Sequence, residues 1–394
     1  MNTKQKPSLS CPACGNNPTN HALSWFNQTL GVYMLPFDRK VVGGTLGRHA
    51  GNIIRFFAPY YIYFFSLLGL VKLSSDKTKA TTLRSQVIWN EAEKRKIWMK
   101  QIIFLGKPID IYITKIGKEK RVFESIPMKK NTSGSDIWMD DKFELKKKLQ
   151  KEAIPVPQGK SVSALREAEL LFGKLKKPII VKPRLGSRGR HTTTHIYTKE
   201  ELRVAYTSAK KLCHFVIVEE QLLGSVYRGT LVNKKLVGVL RGDPPRILGD
   251  GTKKIKELIE EKNKNRQSGI GEVKITDELE TFIKRQGFSL ESILPPFTVL
   301  DLSEKIGIAY GGDAIEITPL IHPELRMILE RAGEIVDASV IGFDFIIPDP
   351  TEDPKNQHWG IIECNSLPFI NLHHFPREGT PVNIAALIWD MWKK

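Results

Sequence analysis

The sequence predicts an α+β protein whose strands pair mainly antiparallel. Strict alternation of strand and helix patterns, the mark of a parallel sheet, is absent. Short apolar runs recur as adjacent pairs, as at Tyr227–Val232 and Lys235–Arg241. The last pair, Ala338–Phe345 and Trp359–Asn365, brackets the polar, Pro-rich stretch Pro348–His358 and reads as two neighbouring antiparallel strands.

Residues 1–30 are polar and turn-rich and are expected to be poorly ordered. Residues 31–136 form an N-terminal α/β region. It holds the uncharged stretch Phe56–Val71, which carries Pro59, Ser66, Gly69 and three tyrosines between Arg55 and Lys72. That run is short for a membrane span. Tyrosines and flanking bases suit a segment lying in a membrane interface, but burial in the N-terminal core is the reading carried forward. Thr82–Ile97 has the pattern of an amphipathic helix, and Gln101–Leu105, Ile109–Lys115 and Arg121–Ser125 that of strands. The loop Asn131–Asp136 closes this region, and residues 137–394 form the main domain.

In that domain Asp140–Lys151 is a charged helix ended by Ile154-Pro-Val-Pro157. Helix Val162–Leu175, strand Pro178–Val181, a glycine loop, strand Thr192–Tyr197, helix Lys199–Leu212 and strand Val216–Glu219 follow. Next come helix Lys254–Lys262, helix Pro323–Ala338 leading into the final strand pair, and a closing helix Pro381–Trp392. No internal repeat is present.

The net charge is +17, and residues 1–150 hold most of it, with 25 basic against 11 acidic side chains. Such an excess suits an anionic partner, whether nucleic acid, a membrane surface or an acidic polymer; a Lys-rich surface serving solubility accounts for it equally. Four cysteines make no disulfide framework in a chain this long, and no signal peptide is evident, so a cytoplasmic location is expected. Cys11-Pro-Ala-Cys14-Gly has the spacing of half a zinc knuckle, with His21 offering a third donor. No second CxxC completes four ligands, so an exposed turn is the favoured reading.

The chemistry concentrates in two places. Asp344 lies four residues before the loop Pro348–His358 and Glu363 five after it, so the register sets them side by side. Side chains alternate faces along a strand, so Glu363 and Asn365 share a face while Cys364 points away. Two carboxylates and an amide oxygen are hard oxygen ligands suited to Mg2+; a solvated pair of charges is the plainer alternative. The second place is Ile179-Ile-Val-Lys182-Pro-Arg-Leu-Gly186-Ser-Arg-Gly189-Arg190, a buried strand running into a glycine loop. Glycines let backbone N–H groups close on phosphate oxygens, and the basic side chains add charge. It is not a Walker A loop, and a basic hairpin turn has a similar sequence. A lysine ending an apolar strand must be paired if buried. These two places offer carboxylates, Asn and basic residues but no paired Cys/His or Ser/His/Asp for nucleophilic catalysis.

These residues carry a family resemblance. Val181-Lys-Pro with Gly186-Ser-Arg-Gly-Arg190, the strand end Val216–Glu219, and Asp344 with Glu363-Cys-Asn365 resemble the ATP-grasp fold, two α+β subdomains gripping ATP. Within it, the chain resembles the ATP-grasp module of cyanophycin synthetase and of bifunctional glutathione synthetase. Arg241-Gly-Asp-Pro-Pro-Arg-Ile-Leu-Gly249-Asp-Gly251, Gly311-Gly-Asp-Ala-Ile-Glu-Ile-Thr318 with His322-Pro323, and the tail from Asn365 to Asn383 support that choice. The resemblance covers about residues 138–392. Neither a glutamate–cysteine ligase domain nor a Mur-ligase-like domain is evident, so a standalone module is expected.

The resemblance implies an ATP- and Mg2+-dependent carboxylate–amine ligase acting through an acyl phosphate. It assigns Lys142, Lys182, Gly186, Ser187, Arg188 and Gly189 to the phosphates, and Glu219 and Glu220 to the adenine side. Arg228 and Arg241 face substrate and the transferred phosphate; Gly311, Gly312 and His373 belong to the substrate wall. Asp344, Glu363 and Asn365 hold two Mg2+ ions, for which Mn2+ can stand in. Small-molecule or peptide carboxylates and amines are the implied substrates, and a homo-oligomer is compatible with the pattern. Departures cluster away from the metal residues. The last lid glycine is replaced by His191 and the ribose-binding acid by Val226. Gly307 and Ala309-Tyr310 replace the usual Asn and Ser-Thr, and Asn371 replaces an arginine. A nucleotide-binding module without ligase activity, and a basic binding protein for nucleic acid or membrane surfaces, are the competing functions; salt sensitivity separates the last from a magnesium–nucleotide site.

Overall fold

The computed structural model describes residues 11–14, 19–41, 57–129, 137–186, 189–266, 270–303 and 310–393. The chain divides into two compact units, each built from separate stretches. The first comprises Met1–Val32, Pro157–Leu222 and Gly242–Asp313, the second Tyr33–Val156, Leu223–Arg241 and Ala314–Lys394.

The first unit holds a four-stranded antiparallel sheet in the order Gly159–Val162, Val216–Glu220, Ile179–Pro183, Thr193–Ile196. Helices Leu165–Phe172 and Lys199–Lys210 pack on it, burying Ala168, Leu202 and Ala205 with Ile179, Val181, Val216 and Val218. The second helix starts where Thr198 accepts from Glu201 N and Glu201 in turn accepts from Thr198 N, a reciprocal cap that satisfies orphan donors. A smaller core in the same unit joins the ladder of Arg246–Leu248 and Val299–Asp301 to helices Ile255–Lys264 and Asp277–Arg285.

The second unit holds two sheets. Its five-stranded sheet runs Ala314–Glu316, Lys235–Gly242, Ser225–Val232, Val340–Ile347, Gly360–Asn365. Helix Pro323–Val336 covers one face, burying Leu325, Leu329 and Ala332 against Leu231, Phe343 and Phe345. The four-stranded sheet, Val71–Ser74, Met99–Phe104, Lys107–Ile116, Glu119–Glu124, joins helices Leu83–Lys94 and Ile384–Asp390 through Ile88, Trp89, Tyr112, Ile384 and Trp389. The indole of Trp389 donates to the Ile88 carbonyl at 3.0 Å.

The antiparallel α+β class is as the sequence predicts, and the expected hairpins and helices lie within a few residues of their bounds, but the long helix His21–Val41 begins within residues 1–30, where poor order was expected. Short elements escaped the sequence reading. Strand Gly159–Val162, with a glycine and a lysine among four residues, has no apolar pattern of its own. Helix Asp277–Arg285 and the three-residue strands are further cases. The loop Asn131–Asp136 lies outside the described residues.

The core reading of Phe56–Val71 is overturned. Phe56 lies outside the described residues, but residues 57–67 form a helix that is not core: Tyr60, Tyr63 and Leu67 are 62 %, 66 % and 68 % exposed. Only Val71, which begins a strand, is buried. Apolar composition reports a tendency to leave water, whereas burial needs a partner surface that composition does not specify. No helix among the described residues is long and apolar enough to cross a membrane.

Candidate functional site

In the second unit, three strands set the carboxylates. Asp344 pairs directly with Glu363 on one side and with Arg228 on the other. Asn365, two residues from Glu363, shares its face, while Cys364 sits opposite Phe343 and is buried in the core beneath. Like charges directly opposite across a ladder repel, and here cations offset the repulsion. Arg228 donates from Nε and Nη2 to the two oxygens of Asp344 at 2.6 and 2.7 Å, a bidentate geometry. Lys142 Nζ lies 3.6 Å from Glu363 Oε2. The Asn365 amide donates to Asp344 Oδ2 at 3.4 Å.

Burial pushes the Asp344 carboxyl up to about 6; Arg228 pulls it down without cancelling that, and Glu363 adds to the rise. Burial opposes the charge on Arg228, but Asp344 more than compensates and raises its pKa. A divalent cation between the two carboxylates would relieve both their desolvation and their mutual repulsion. The donor set, two carboxylates and an amide oxygen on one sheet face, fits a hard metal ion such as Mg2+.

Local structure delivers Lys142 to this face. Asp141 caps helix Lys142–Lys151, accepting from the backbone N–H groups of Phe143 and Glu144 at 2.9 and 3.0 Å, so Lys142 is its first residue. The preceding turn is clasped by Asp140, whose carboxylate accepts from Ser366 N at 3.1 Å and Ser366 Oγ at 2.9 Å. Burial raises the Asp140 carboxyl despite those bonds. This clasp was missed in the sequence, where Asp140-Asp141 reads only as a helix start. Arg228 also lies 5.8 Å from the ring centroid of Phe369, within the range of cation–π attraction.

In the first unit, Lys182 and Glu219 sit diagonally across neighbouring strands, Glu219 opposite Ile180 and Lys182 two residues on. Both are buried, and Lys182 Nζ meets Glu219 Oε1 at 2.6 Å. The lysine is thus paired, as its burial demands. Glu220, also buried, accepts from the Gln158 backbone N–H at 2.8 Å. Gly186 and Gly189 have φ of +120° and +61°, conformations that favour glycine. Ser187 and Arg188 between them lie outside the described residues. Gly311, at φ +87°, and Gly312 are buried. Arg241, next to last in strand Lys235–Gly242, is half-buried in the second unit.

His373 lies in the second unit, between the C-terminal tail and the five-stranded sheet. It is fully buried, with Nδ1 2.6 Å from Glu316 Oε2 and Nε2 2.7 Å from Thr230 Oγ1. Its ring faces Gly238, where a Cβ would come within 2.5 Å of it. These contacts fasten the C-terminal tail to the five-stranded sheet.

Known proteins agree with this architecture. The structure of a bifunctional glutathione synthetase from Pasteurella multocida matches with a TM-score of 0.59 at 23% identity, covering 80% of this chain and 44% of that one. The cyanophycin synthetase of Geminocystis herdmanii is 30% identical over 381 residues, 92% of this chain and 43% of the relative. The chain is an ATP-grasp protein. The glutathione biosynthesis bifunctional protein GshAB of Clostridium perfringens is 30% identical over 283 residues, 70% of this chain and 36% of the relative. The chain therefore spans less than half the length of the curated relatives it matches. No family model matches it. These relatives are ATP-grasp ligases, enzymes that form C–N bonds using ATP and divalent metal ions. The similarity to cyanophycin synthetase extends beyond residues 138–392, to 92% of the chain.

Proposed function

We propose that this ATP-grasp protein is a carboxylate–amine ligase that activates a carboxylate with ATP and releases the product as an amide. The observation that carries this reading is the facing pair Asp344 and Glu363, with Asn365 on the same side and each carboxylate held by its own cation. A divalent ion, or two, would be held by Asp344, Glu363 and Asn365, and would supply charge to draw electrons from the phosphates. Arg228 and Lys142 then become available to anionic groups, because their carboxylates are shared with the metal. Lys182 and the glycine loop are assigned to the phosphates, Glu219 and Glu220 to the adenine side, and Arg241 to the transferred phosphate.

No protein nucleophile is required. The substrate carboxylate attacks the γ-phosphorus, the bond to the β-phosphate oxygen breaks and ADP leaves. The amine then attacks the acyl carbon, losing a proton to solvent as inorganic phosphate departs. The chain's contribution is positioning and charge neutralisation. Small amino acids or peptides bearing acidic groups are the favoured substrates, since Arg228, Arg241 and Lys182 would favour anionic groups. None of the four cysteines forms a disulfide, which suits the proposed cytoplasmic setting.

The test is a screen of acidic amino acids and short acidic peptides for ADP formation that requires Mg2+ and carboxylate together. Turnover with at least one of them is the expected result. Tight ATP binding with no ADP from a broad carboxylate panel would favour a binding module instead.

A further inference from the structure

The sequence reading of Cys11 and Cys14 as an exposed turn does not survive the structure. Cys14 is fully buried and Cys11 half-buried, and together with His21 and His191 they bring four ligand atoms within 4.8 Å of one another. All four residues belong to the first unit. We propose that they form a structural zinc site, Cys2His2, that fastens the N-terminal segment to the end of the glycine loop. The proposal does not depend on the ligase reading.

Distances support it first. Zn–S and Zn–N bonds of about 2.3 and 2.0 Å set the S···N edge of a tetrahedron at roughly 3.5 Å. The Sγ···Nε2 separations are 3.5 Å for Cys11–His191, 3.4 Å for Cys14–His191 and 3.2 Å for Cys14–His21. The two imidazole rings stand edge to face at 4.9 Å, with an interplanar angle of 85°, so both Nε2 atoms reach the thiols without the rings stacking.

Supporting contacts fix each donor. His191 Nδ1 lies 2.8 Å from the Ser208 carbonyl, so the ring donates there and leaves Nε2 to accept a metal. Such a carbonyl partner is what orients a ligating histidine. The His191 backbone N–H donates to the Ala13 carbonyl at 2.9 Å, and Cys14 N donates to the Cys11 carbonyl at 3.0 Å. The CxxC turn and His191 are therefore joined by main chain as well as by side chains. Farther along, Thr29 of helix His21–Val41 accepts from the His214 backbone N–H at 3.0 Å, docking the segment that carries His21 on the same unit.

The residue choice points the same way. His191 has φ of +51°, a left-handed conformation that costs a non-glycine residue. A histidine in that place needs a side-chain function to offset the strain, and a ligand role supplies one. Binding releases the two thiol protons to solvent and leaves Zn2+, two thiolates and two neutral imidazoles, a set with no net charge that tolerates burial.

The experiment is metal analysis of the purified full chain, with Co2+ exchange as the optical probe. About one zinc ion per chain, resisting dialysis, and a Co2+ form with the visible bands of tetrahedral coordination and thiolate charge transfer are expected. His191→Gly, which suits the local backbone, should lose the metal while circular dichroism stays that of the parent. If that variant fails to fold, Cys11→Ser serves, because its side chain is half-exposed and nearly the same size. The inference is overturned if reconstitution with zinc gives no bound metal and leaves the thiol alkylation rate unchanged. It is also overturned if either folded variant keeps a full equivalent of zinc.

Discussion

Asp344 and Glu363 face each other directly across two antiparallel strands, and each carboxylate is met by a cation from a different element, Arg228 from the neighbouring strand and Lys142 from a helix start. The arrangement places two acids against each other and balances their repulsion with two bases.

Glu363→Gln tests the metal half of that balance. The amide removes like-charge repulsion, so the melting temperature is expected to be unchanged or slightly raised. Magnesium-dependent ADP formation should fall by roughly a hundredfold, because an amide cannot supply the ligand charge. Activity near that of the parent would remove Glu363 from the site.

Ribose recognition offers a second check. Val226, half-buried in strand Ser225–Val232, is the position that the family resemblance matches to a ribose-binding acid, and its side chain cannot accept a hydrogen bond from a ribose hydroxyl. The parent protein should discriminate between ATP and dATP by less than about tenfold, and Val226→Glu should widen the ratio. A preference of about a hundredfold in the parent would show that another residue reads the ribose.

The role of His373 is open to a stability measurement. Gly238→Ala places a methyl about where the ring lies, with a Cβ contact of 2.5 Å, so urea denaturation should show a loss on the order of 2 kcal/mol or more. Unchanged stability would mean that the ring is free to move and that His373 does not fasten the sheet.

How far the sequence could be read depended on whether a contact was local. The Asp344–Glu363 register was legible because the arms flanking one polar loop are of nearly equal length, and Lys182 ending an apolar strand announced a buried partner. The bidentate Arg228–Asp344 pair was not legible, since it depends on which distant strand lies beside Val340–Ile347. Nor was His191, which lies 177 positions from Cys14 and stood out only as a missing glycine. The helix at residues 57–67 misled for another reason: its apolar residues say nothing about whether a surface covers them. Tyr61→Ser and Leu67→Ser should therefore each change stability by less than about 1 kcal/mol, whereas Ile88→Ala in the core should cost about 2–5 kcal/mol. A loss of several kcal/mol from either helix change would restore the core reading.

The central claim is that this chain makes an acyl phosphate, and hydroxylamine capture tests it most directly, because the natural amine need not be known. Acidic amino acids and short peptides are incubated with ATP, Mg2+ and hydroxylamine, and hydroxamate and ADP are scored together. The account predicts hydroxamate and ADP in equal amounts from at least one carboxylate, both abolished in Glu363→Ala. ADP released without hydroxamate from any carboxylate, or hydroxamate that persists in Glu363→Ala, would contradict it.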